Sequence, residues 1–416
     1  MSAPPRTPRT RTDTAQALGV ERSDHTRPAS ARISLGRLAL ADSSNYLLLL
    51  GVTLFLVVFG LVMVLSSSSI ESWTDDKGFF GGFWKQATYA VIGVPLMLVM
   101  SRMPLEFWKK IAWPAIFVAI ALQALVFSPL GIEDYGNRNW IRIGSISGQP
   151  SEFVKLALVV WLAFVLSRKR ELLTDWRHAL IPVVPIGGLA IGLVLLGRDL
   201  GTVLILASIV FAALYFAGVR WRILIPVMIL AGIGAAVAVG TSANRMNRLM
   251  SFLDAECSDY EGVCWQPLHG TWALANGGLF GVGLGNSVEK WDWLPAASND
   301  YIFAIVGEEL GLVGAVVLLL MFVLLAVAFL RVIRSSDDPF VRTATGAVLM
   351  WIIGQAFVNI GVVLRVFPVL GVPLPFISAG GTALITSLMA VGIVLSFARH
   401  EGRRATLAMQ GRGSFR

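Results

Sequence analysis

Long uninterrupted apolar runs constrain the fold of this chain more than any other feature. The first reads YLLLLGVTLFLVVFGLVMVL from Tyr46, and a helix needs roughly 20 apolar residues to cross the hydrocarbon of a bilayer. These runs are continuous, whereas the strands of an outer-membrane barrel alternate apolar and polar residues. Charged residues make up only 14% of the sequence and hydrophobic residues 56%. The sequence therefore predicts an all-α, polytopic integral membrane protein.

Ten such runs define the predicted topology. We place transmembrane helices at about 45–66, 86–101, 111–129, 152–167, 179–197, 201–218, 223–240, 302–330, 343–364 and 382–398. The preceding residues, 1–44, are rich in Pro, Ser, Thr and Arg, which predicts a disordered basic tail. The transmembrane domain is then 45–398, followed by a short tail, 399–416.

The distribution of positive charge predicts the orientation. If the N-terminus is cytoplasmic, the tails and connections on that side carry 24 of the 34 Lys and Arg residues. Cytoplasmic segments of membrane proteins are enriched in these residues, so we expect both termini in the cytoplasm and the protein in the cytoplasmic membrane. Most of the net charge of +8 is then explained by the enrichment of Lys and Arg on the cytoplasmic side. The charge therefore gives no reason to expect a nucleic-acid partner.

The longest predicted outer connection, 241–301, separates helices 7 and 8. Loops of this length in compact proteins usually carry function. It contains the only two cysteines of the sequence, Cys257 and Cys264. Two cysteines are too few to form a metal-binding framework. Because the exterior is oxidising and the gap between them is short, we expect a disulfide.

The last outer connection, 365–381, reads RVFPVLGVPLPFISAGG. Its prolines and glycines make a regular helix unfavourable. Because it is largely apolar, we expect it to dip back into the membrane, where protein must cover its backbone.

The motif GQPSEFVK at 148–155 is the first candidate for chemistry. Glu152 and Lys155 share a helix face, and Lys155 lies about one turn inside the membrane. A lysine at that depth faces a cavity, a carboxylate or an anionic ligand; the alternative is a purely structural ion pair with Glu152. Arg138 and Arg142 add positive charge that suits a phosphate group, although both could merely snorkel to the membrane surface.

A second candidate is LLGRDLGTVL at 195–204, which includes Asp199. It lies between two apolar spans on the predicted outer side. A tight turn requires polar residues and a glycine there in any case, so a structural role is the simpler interpretation.

The third candidate is LPAASNDYIFAIVGEELGLVG at 294–314. Asp300 precedes an apolar run of some 30 residues, about 45 Å as a helix, which exceeds the roughly 30 Å of hydrocarbon. We therefore expect Asp300 in a wet outer cleft, with Glu308 and Glu309 two turns deeper. Asp300 could act as a general base, or it could simply cap a helix that starts at Tyr301.

Five motifs together resemble the SEDS family (shape, elongation, division and sporulation) of FtsW and RodA. They are QPSEFVK, RDLGT, GGLFGVGLGNS, LPAASNDYIFAIVGEELG and NIGVVLRVFPVLGVPLPFISAGG, and the resemblance covers about residues 45–400 in order. The ISAGGT ending and the ARHE run at 398–401 are more similar to the division members of high-GC Gram-positive bacteria than to the elongation members.

The resemblance implies a peptidoglycan glycosyltransferase that joins lipid II into glycan strands outside the membrane at the division septum. It also implies a class B penicillin-binding protein of the FtsI type and other divisome membrane proteins as partners. Asp300 matches the family's catalytic aspartate. The predicted residues that bind lipid II and its pyrophosphate are Arg138, Gln149, Ser151, Glu152, Lys155, Asp199, Glu308, Ser378, Gly380 and Gly381. Asn139 and Tyr301 depart from the usual arginine and phenylalanine of the family.

The implied reaction requires one base and one stabiliser of negative charge. The 4-hydroxyl of an N-acetylglucosamine attacks the anomeric carbon of N-acetylmuramic acid and expels undecaprenyl pyrophosphate with inversion. Asp300 would accept the hydroxyl proton. Lys155, with Arg138 or a divalent cation such as Mg²⁺ or Mn²⁺, would offset the charge on the leaving group.

Three alternatives remain open from sequence. The same intramembrane charges would suit a flippase that moves lipid II, although their crowding in the outer half argues against it. A scaffold that only recruits division proteins leaves Asp300 and Lys155 without a role. An elongation polymerase would perform the same chemistry.

Overall fold

A computed structural model describes residues 44–74, 76, 78–134, 137–144, 146–254, 260 and 262–413. The helices are α1 (Ser44–Thr74), α2 (Gly81–Met100), α3 (Leu105–Ala124), α4 (Pro150–Arg168), α5 (Trp176–Leu180), α6 (Val183–Leu196), α7 (Leu200–Phe216), α8 (Trp221–Gly240), α9 (Ala243–Leu253), α10 (Trp265–Gly277), α11 (Ile302–Ser335), α12 (Pro339–Leu349), α13 (Gln355–Val363) and α14 (Gly381–Gly413). The strands are β1 (Gly131–Asp134), β2 (Asn137–Ile143) and β3 (Ile146–Gly148), and a π-helical turn, Met350–Gly354, joins α12 to α13.

The transmembrane prediction is confirmed. Within the described ranges, nine helical segments are long and apolar enough to cross a membrane, and α7 is a shorter apolar helix. Together they match the ten predicted spans in order, with α12, the π-helical turn and α13 forming one span. The predicted tail 1–44 lies outside the described residues except for Ser44.

Burial divides the helices into a central and a peripheral group. Nearly every residue of α4 from Pro150 to Leu166 is buried, so no face of this helix meets lipid. Most of α8, in contrast, presents apolar side chains to the surroundings, and only Leu224 and Ala238 are buried. The motif at 148–155 therefore enters the centre of the bundle.

A small antiparallel sheet, in the order β1-β2-β3, interrupts the otherwise helical chain between α3 and α4. Its register pairs Gly131 with Ile141 and Ile141 with Gly148. The backbone N–H of Arg138 in β2 donates to the carbonyl of Gly197 at the end of α6 (2.9 Å). The sheet thus ties the 131–148 connection to the bundle, and the sequence pattern did not predict it because its strands are short and irregular.

The connection 241–301 contains two helices, α9 and α10, that the sequence analysis treated as loop. Both are 11 to 13 residues long, too short to stand out in a search for spans of about 20 residues. Helix α10 packs beside the first turns of α11, where an added Cβ at Gly277 would lie 1.9 Å from the carbonyl oxygen of Gly307. This close approach explains why glycine stands at that position.

Helix α11 is broken at Gly311, whose φ of 66° lies in the left-handed region. The glycine-rich run GGLFGVGLG lies along this break. The amides of Val282 and Gly283 donate to the carbonyls of Glu308 and Glu309 (3.0 Å each), and the amide of Leu312 donates to Gly278 (2.9 Å). The run therefore supplies partners for the backbone groups that the break leaves unpaired.

Candidate active site

Asp300 lies in the turn that leads into α11, where the amide of Asn299 donates to the carbonyl of Ala296 (2.9 Å). Its side chain is half-buried, and an added Cβ at Gly371 would lie 3.8 Å from its Oδ2 atom. Tyr301 is the N-cap residue of α11, and its own side chain makes no capping hydrogen bond. Asp300 thus precedes the cap position, and its carboxylate faces the segment between α13 and α14.

The electrostatic surroundings of Asp300 favour a base that titrates near neutral pH. Burial raises the pKa of the Asp300 carboxyl from 3.8 to about 6, while its backbone hydrogen bond and the charge of Arg248 limit the rise. Arg248 comes from α9, and Arg365, at the end of α13, contributes positive charge to the neighbouring Tyr301. Neither arginine was predictable from sequence, because only the folded chain brings their charges to bear on Asp300 and Tyr301.

Two amides on α13 connect Asp300 with the centre of the bundle. Asn359 Nδ2 donates to the carbonyls of Asp300 and Val372 (2.7 Å each), and Gln355 Nε2 donates to the carbonyl of Pro373 (2.8 Å). Gln355 and Asn359 are four residues apart and share a helix face. The sequence reasoning missed them, although two buried amides in an apolar span are an available signal for interior polar contacts.

Lys155 is fully engaged with its own chain. Its Nζ atom lies 2.8 Å from Glu152 Oε1, 3.1 Å from Gln355 Oε1 and 5.0 Å from the centre of the Trp351 ring. Thr386 of α14 donates to the second oxygen of Glu152 (3.1 Å). The ion pair considered above is therefore present, and through Gln355 it also supports the segment that faces Asp300. The π-helical turn lies beside it, a feature common at functional sites.

The segment 364–380 follows a non-helical path inside the bundle. An added Cβ at Gly60 in α1 would lie 2.2 Å from the carbonyl oxygen of Phe376, and one at Gly201 in α7 would lie 2.5 Å from that of Leu370. The hydroxyl of Ser378 donates to the carbonyl of Asn299 and accepts from the amide of Leu374. Helices therefore cover this backbone, and Ser378 joins it to the turn that carries Asp300.

Two predicted glycines follow Ser378 at the start of α14. The amide of Gly380 donates to Gln86 Oε1 (3.2 Å), and an added Cβ at Gly381 would lie 2.2 Å from the ring of Tyr89. Both positions therefore pack against α2. A role for them in binding substrate stays a prediction.

Asp199 has the structural role that its turn motif favoured. As N-cap of α7 it accepts from the amide and the hydroxyl of Thr202 (2.9 Å each). It also accepts from Asn139 (2.9 Å) and Gln149 (3.0 Å), so it binds the small sheet to the start of α4. All these donors belong to the protein, and contact with substrate stays a prediction.

Two further predicted residues lie near this cluster. Arg138 Nη2 donates to the carbonyl of Ser128 (2.9 Å). One nitrogen of its guanidinium therefore binds the turn that precedes β1. The hydroxyl of Ser151 is buried without a hydrogen-bond partner among the described residues. This hydroxyl therefore remains available to a substrate group.

Glu308 and Glu309 are buried and anchor the outer loop. Glu308 accepts from Asn276 (2.9 Å), from the amide of Val288 (3.0 Å) and from the hydroxyl of Ser287. Glu309 accepts from the hydroxyl of Ser66 and pairs with Lys290 (3.2 Å), another buried residue. The loop thus supplies the partners of Glu308 and, together with Ser66 of α1, those of Glu309. The predicted contact of Glu308 with substrate stays a prediction.

The described residues offer no group of three or more His, Cys, Asp or Glu side chains that could hold a metal ion. The donor set therefore does not fit a cation held by the protein itself. Cys264 is buried and disulfide-bonded. Cys257 lies outside the described residues, so the pairing of these two cysteines stays a prediction.

Fold and site together define a polytopic helical membrane protein with a half-buried carboxylate and two arginines at one end of the bundle. A family model described as cell cycle protein, covering FtsW, RodA and SpoVE, matches residues 46–403. The chain belongs to this family.

Relatives and solved structures agree with this assignment. The probable peptidoglycan glycosyltransferase FtsW of Mycobacterium tuberculosis is 37% identical over 398 residues, covering 95% of this chain and 76% of that protein. Stage V sporulation protein E of Bacillus subtilis is 35% identical and covers 86% and 98%. A chain from a solved peptidoglycan synthase complex, described as coordinating polymerization and crosslinking, superposes with a TM-score of 0.69 at 25% identity, covering 85% of this chain and 97% of that one. Thermus thermophilus RodA shares the fold, with a TM-score of 0.62 at 24% identity and coverage of 85% and 96%.

Proposed function

We propose that this chain is a peptidoglycan glycosyltransferase that polymerises lipid II at the outer face of the cytoplasmic membrane during septal wall synthesis. One observation carries the proposal beyond family membership. Asp300 is a half-buried carboxylate whose pKa burial raises to about 6, and the positive charge of Arg248 acts on it. A base and a fixed positive charge are the two groups that this transfer needs.

In the proposed reaction, Asp300 accepts the proton of the acceptor 4-hydroxyl as its oxygen attacks the anomeric carbon of the donor. The bond from that carbon to the pyrophosphate oxygen breaks, and the leaving group departs with the electron pair. A base is most effective when its pKa lies near the working pH, so a pKa of about 6 keeps Asp300 mostly ionised yet still basic at neutral pH.

The leaving pyrophosphate requires positive charge at the same end of the bundle. The charge of Arg248 acts on Asp300 and Tyr301, that of Arg365 acts on Tyr301, and an arginine guanidinium matches phosphate oxygens in a bidentate manner. Lys155 is held by Glu152 and Gln355 and supports the opposite wall. We therefore assign charge stabilisation first to the two arginines and positioning to Lys155.

The predicted divalent cation finds no donor set among the described side chains. The proposed reaction therefore uses no cation held by these side chains.

Partner and location follow from the relatives as proposals. We propose that the chain works with a class B penicillin-binding protein, as a synthase that couples polymerization to crosslinking would require. Both termini would then lie in the cytoplasm, with Asp300 facing outward at the division septum and other divisome membrane proteins nearby. Lipid II and the nascent strand would reach Asp300 while still anchored to lipid.

Lipid II polymerisation by the purified complex tests the proposal, with Asp300→Ala compared with the wild type. Asp292→Asn is a matched control, because Asp292 is an exposed carboxylate of the same loop and its positive φ of 63° is one that asparagine tolerates. We expect strands from the control and none from Asp300→Ala. Full synthesis by a folded Asp300→Ala protein would refute the assignment. Movement of lipid II in sealed vesicles without strand synthesis would favour the flippase, and neither activity the scaffold.

A further inference from the structure

An aromatic cleft lies on the connection between α8 and α11. It encloses about 250 Å³ and is open on one side, with a lining of Tyr260, Trp265, Leu268, His269, Trp272 and Trp293. Trp265 and Trp293 are stacked with ring centres 6.0 Å apart, and His269 lies nearly parallel to Trp293 at 5.9 Å. Trp272 and Trp293 remain 48% and 50% exposed, so their ring faces are available to a ligand.

Hydrogen bonds hold these rings in place. Trp265 Nε1 donates to the carbonyl of Trp293 (2.6 Å), and His269 Nδ1 lies 2.5 Å from Glu289 Oε2. Gln266 beside them donates to the carbonyl of Pro295 (3.0 Å). A cleft fixed in this way loses little conformational freedom when a ligand binds, which favours affinity.

The cleft lies beside the beginning of α11. Helix α10 runs in the same direction as the start of α11, since Gly270 approaches Tyr301 and Gly277 approaches Gly307. The exposed apolar side chains of α11 begin only at Leu312, past the break. At 1.5 Å per residue, Trp265 at the opposite end of α10 lies roughly 18 Å from the level of Gly277. The cleft therefore lies toward the end of α10 that is farther from the break at Gly311.

Exposed indole ring faces are the chemistry that packs on a pyranose. The C–H face of a sugar packs on an indole ring, and the apolar lining accommodates the methyl of an acetamido group. The pairing of His269 with Glu289 fixes the imidazole ring in the wall of the cleft. The cleft also shares its support with the site, because α10 packs on Tyr301, the residue after Asp300.

We propose that this cleft binds amino-sugar rings of the glycan strand, as a subsite distinct from the reacting centre at Asp300. The identity of the strand rests on the proposed function, whereas the affinity for amino sugars rests on the cleft alone. A strand held there stays attached between transfers, so the cleft would lengthen the polymer.

Binding of a β-1,4-linked N-acetylglucosamine tetramer to the purified full chain, measured by isothermal titration calorimetry, tests the proposal. Trp272→Ala removes a stacking face and is expected to weaken binding by on the order of tenfold. Trp272→Tyr keeps an aromatic face and is expected to retain most of the affinity. Trp291→Ala is the matched control, since Trp291 is 60% exposed on the same loop and does not line the cleft. Thermal unfolding of each variant in detergent verifies folding.

The outcomes separate this proposal from the proposed function. Weaker tetramer binding by Trp272→Ala, unchanged binding by Trp291→Ala and Asp300→Asn, and shorter strands from Trp272→Ala support the subsite. Absence of tetramer binding by the wild type, or equal binding by Trp272→Ala, overturns it. The proposal is also overturned if Trp272→Ala binds the tetramer normally but loses adsorption to vesicles or association with the partner protein. If Asp300→Asn still polymerises while Trp272→Ala loses the tetramer, the assignment of Asp300 fails and the subsite stands.

Discussion

Replacing Asp300 with asparagine is expected to remove activity and at the same time stabilise the fold. The change keeps the size of the side chain and removes its charge. As the proposed base, Asp300 should contribute roughly 10²–10⁴-fold to the rate of polymerisation, so the variant should lose about that factor in kcat.

The stability gain follows from the raised pKa. A carboxyl whose pKa rises from 3.8 to about 6 on folding is about 3 kcal/mol less favourable when ionised, because one pKa unit corresponds to about 1.4 kcal/mol. Since Asp300 is only half-buried, solvent screening reduces this figure, and we expect a gain of about 1–3 kcal/mol at pH 7.5. Such a trade of stability for activity is common at catalytic positions.

The pH dependence of unfolding separately tests whether ionised Asp300 destabilises the fold. Below about pH 3.8 Asp300 is protonated in both the folded and the unfolded chain, so its burial carries no ionisation cost and stability is highest. This stability is lost as the pH rises through about 6, where the folded chain must hold the ionised carboxylate. The advantage of Asp300→Asn should therefore be largest above pH 6 and shrink as the pH falls. The wild-type rate should fall below about pH 6, as the base becomes protonated.

Thermal unfolding in detergent and a lipid II polymerisation assay, both run from pH 5 to 8, measure these quantities. Asp292→Asn serves as the control and should change neither stability nor rate appreciably, because its carboxylate is exposed. A less stable Asp300→Asn protein at neutral pH, or a wild-type rate that does not fall below pH 6, would refute the reasoning about this carboxylate.

The remaining predictions concern the support of the site. Lys155→Met should destabilise the fold by about 3–5 kcal/mol, because it leaves Glu152 buried and unpaired, and Glu152→Gln with Lys155→Met should recover much of that loss in thermal unfolding. Asn359→Ala removes the bonds to the carbonyls of Asp300 and Val372 and should lower kcat about tenfold with KM nearly unchanged; a change in KM alone would contradict the positioning role. Chelation of divalent cations should leave the unfolding temperature unchanged, since the described residues offer no group of three or more His, Cys, Asp or Glu side chains that could hold such an ion.

The helical bundle was largely predictable from local sequence. An apolar run long enough to cross a bilayer must form a helix, because every backbone group in hydrocarbon needs a hydrogen-bond partner. The positions of the apolar runs along the sequence therefore give the number and order of the spans. The small sheet and α9 and α10 escaped prediction, because short elements leave weak periodic signals and are stabilised by packing.

The residues of the site divide along the same line. Asp300 and the pair of Glu152 and Lys155 stand out in sequence, because a charge at the edge of an apolar span is costly and calls for an explanation. Sequence could not say that Glu308 and Glu309 would be used as anchors for the outer loop.

Tertiary structure alone decided which groups meet. The amide of Asn359 reaches the carbonyl of Asp300 across 59 positions of sequence, and Ser66 reaches Glu309 across 243. Arg248 and Arg365 approach the site from α9 and the end of α13 in the same way. Hydrophobicity acts residue by residue against the bilayer and is therefore readable from sequence. Hydrogen bonds and charge pairs act between distant segments, and only the packing of the helices determines their partners.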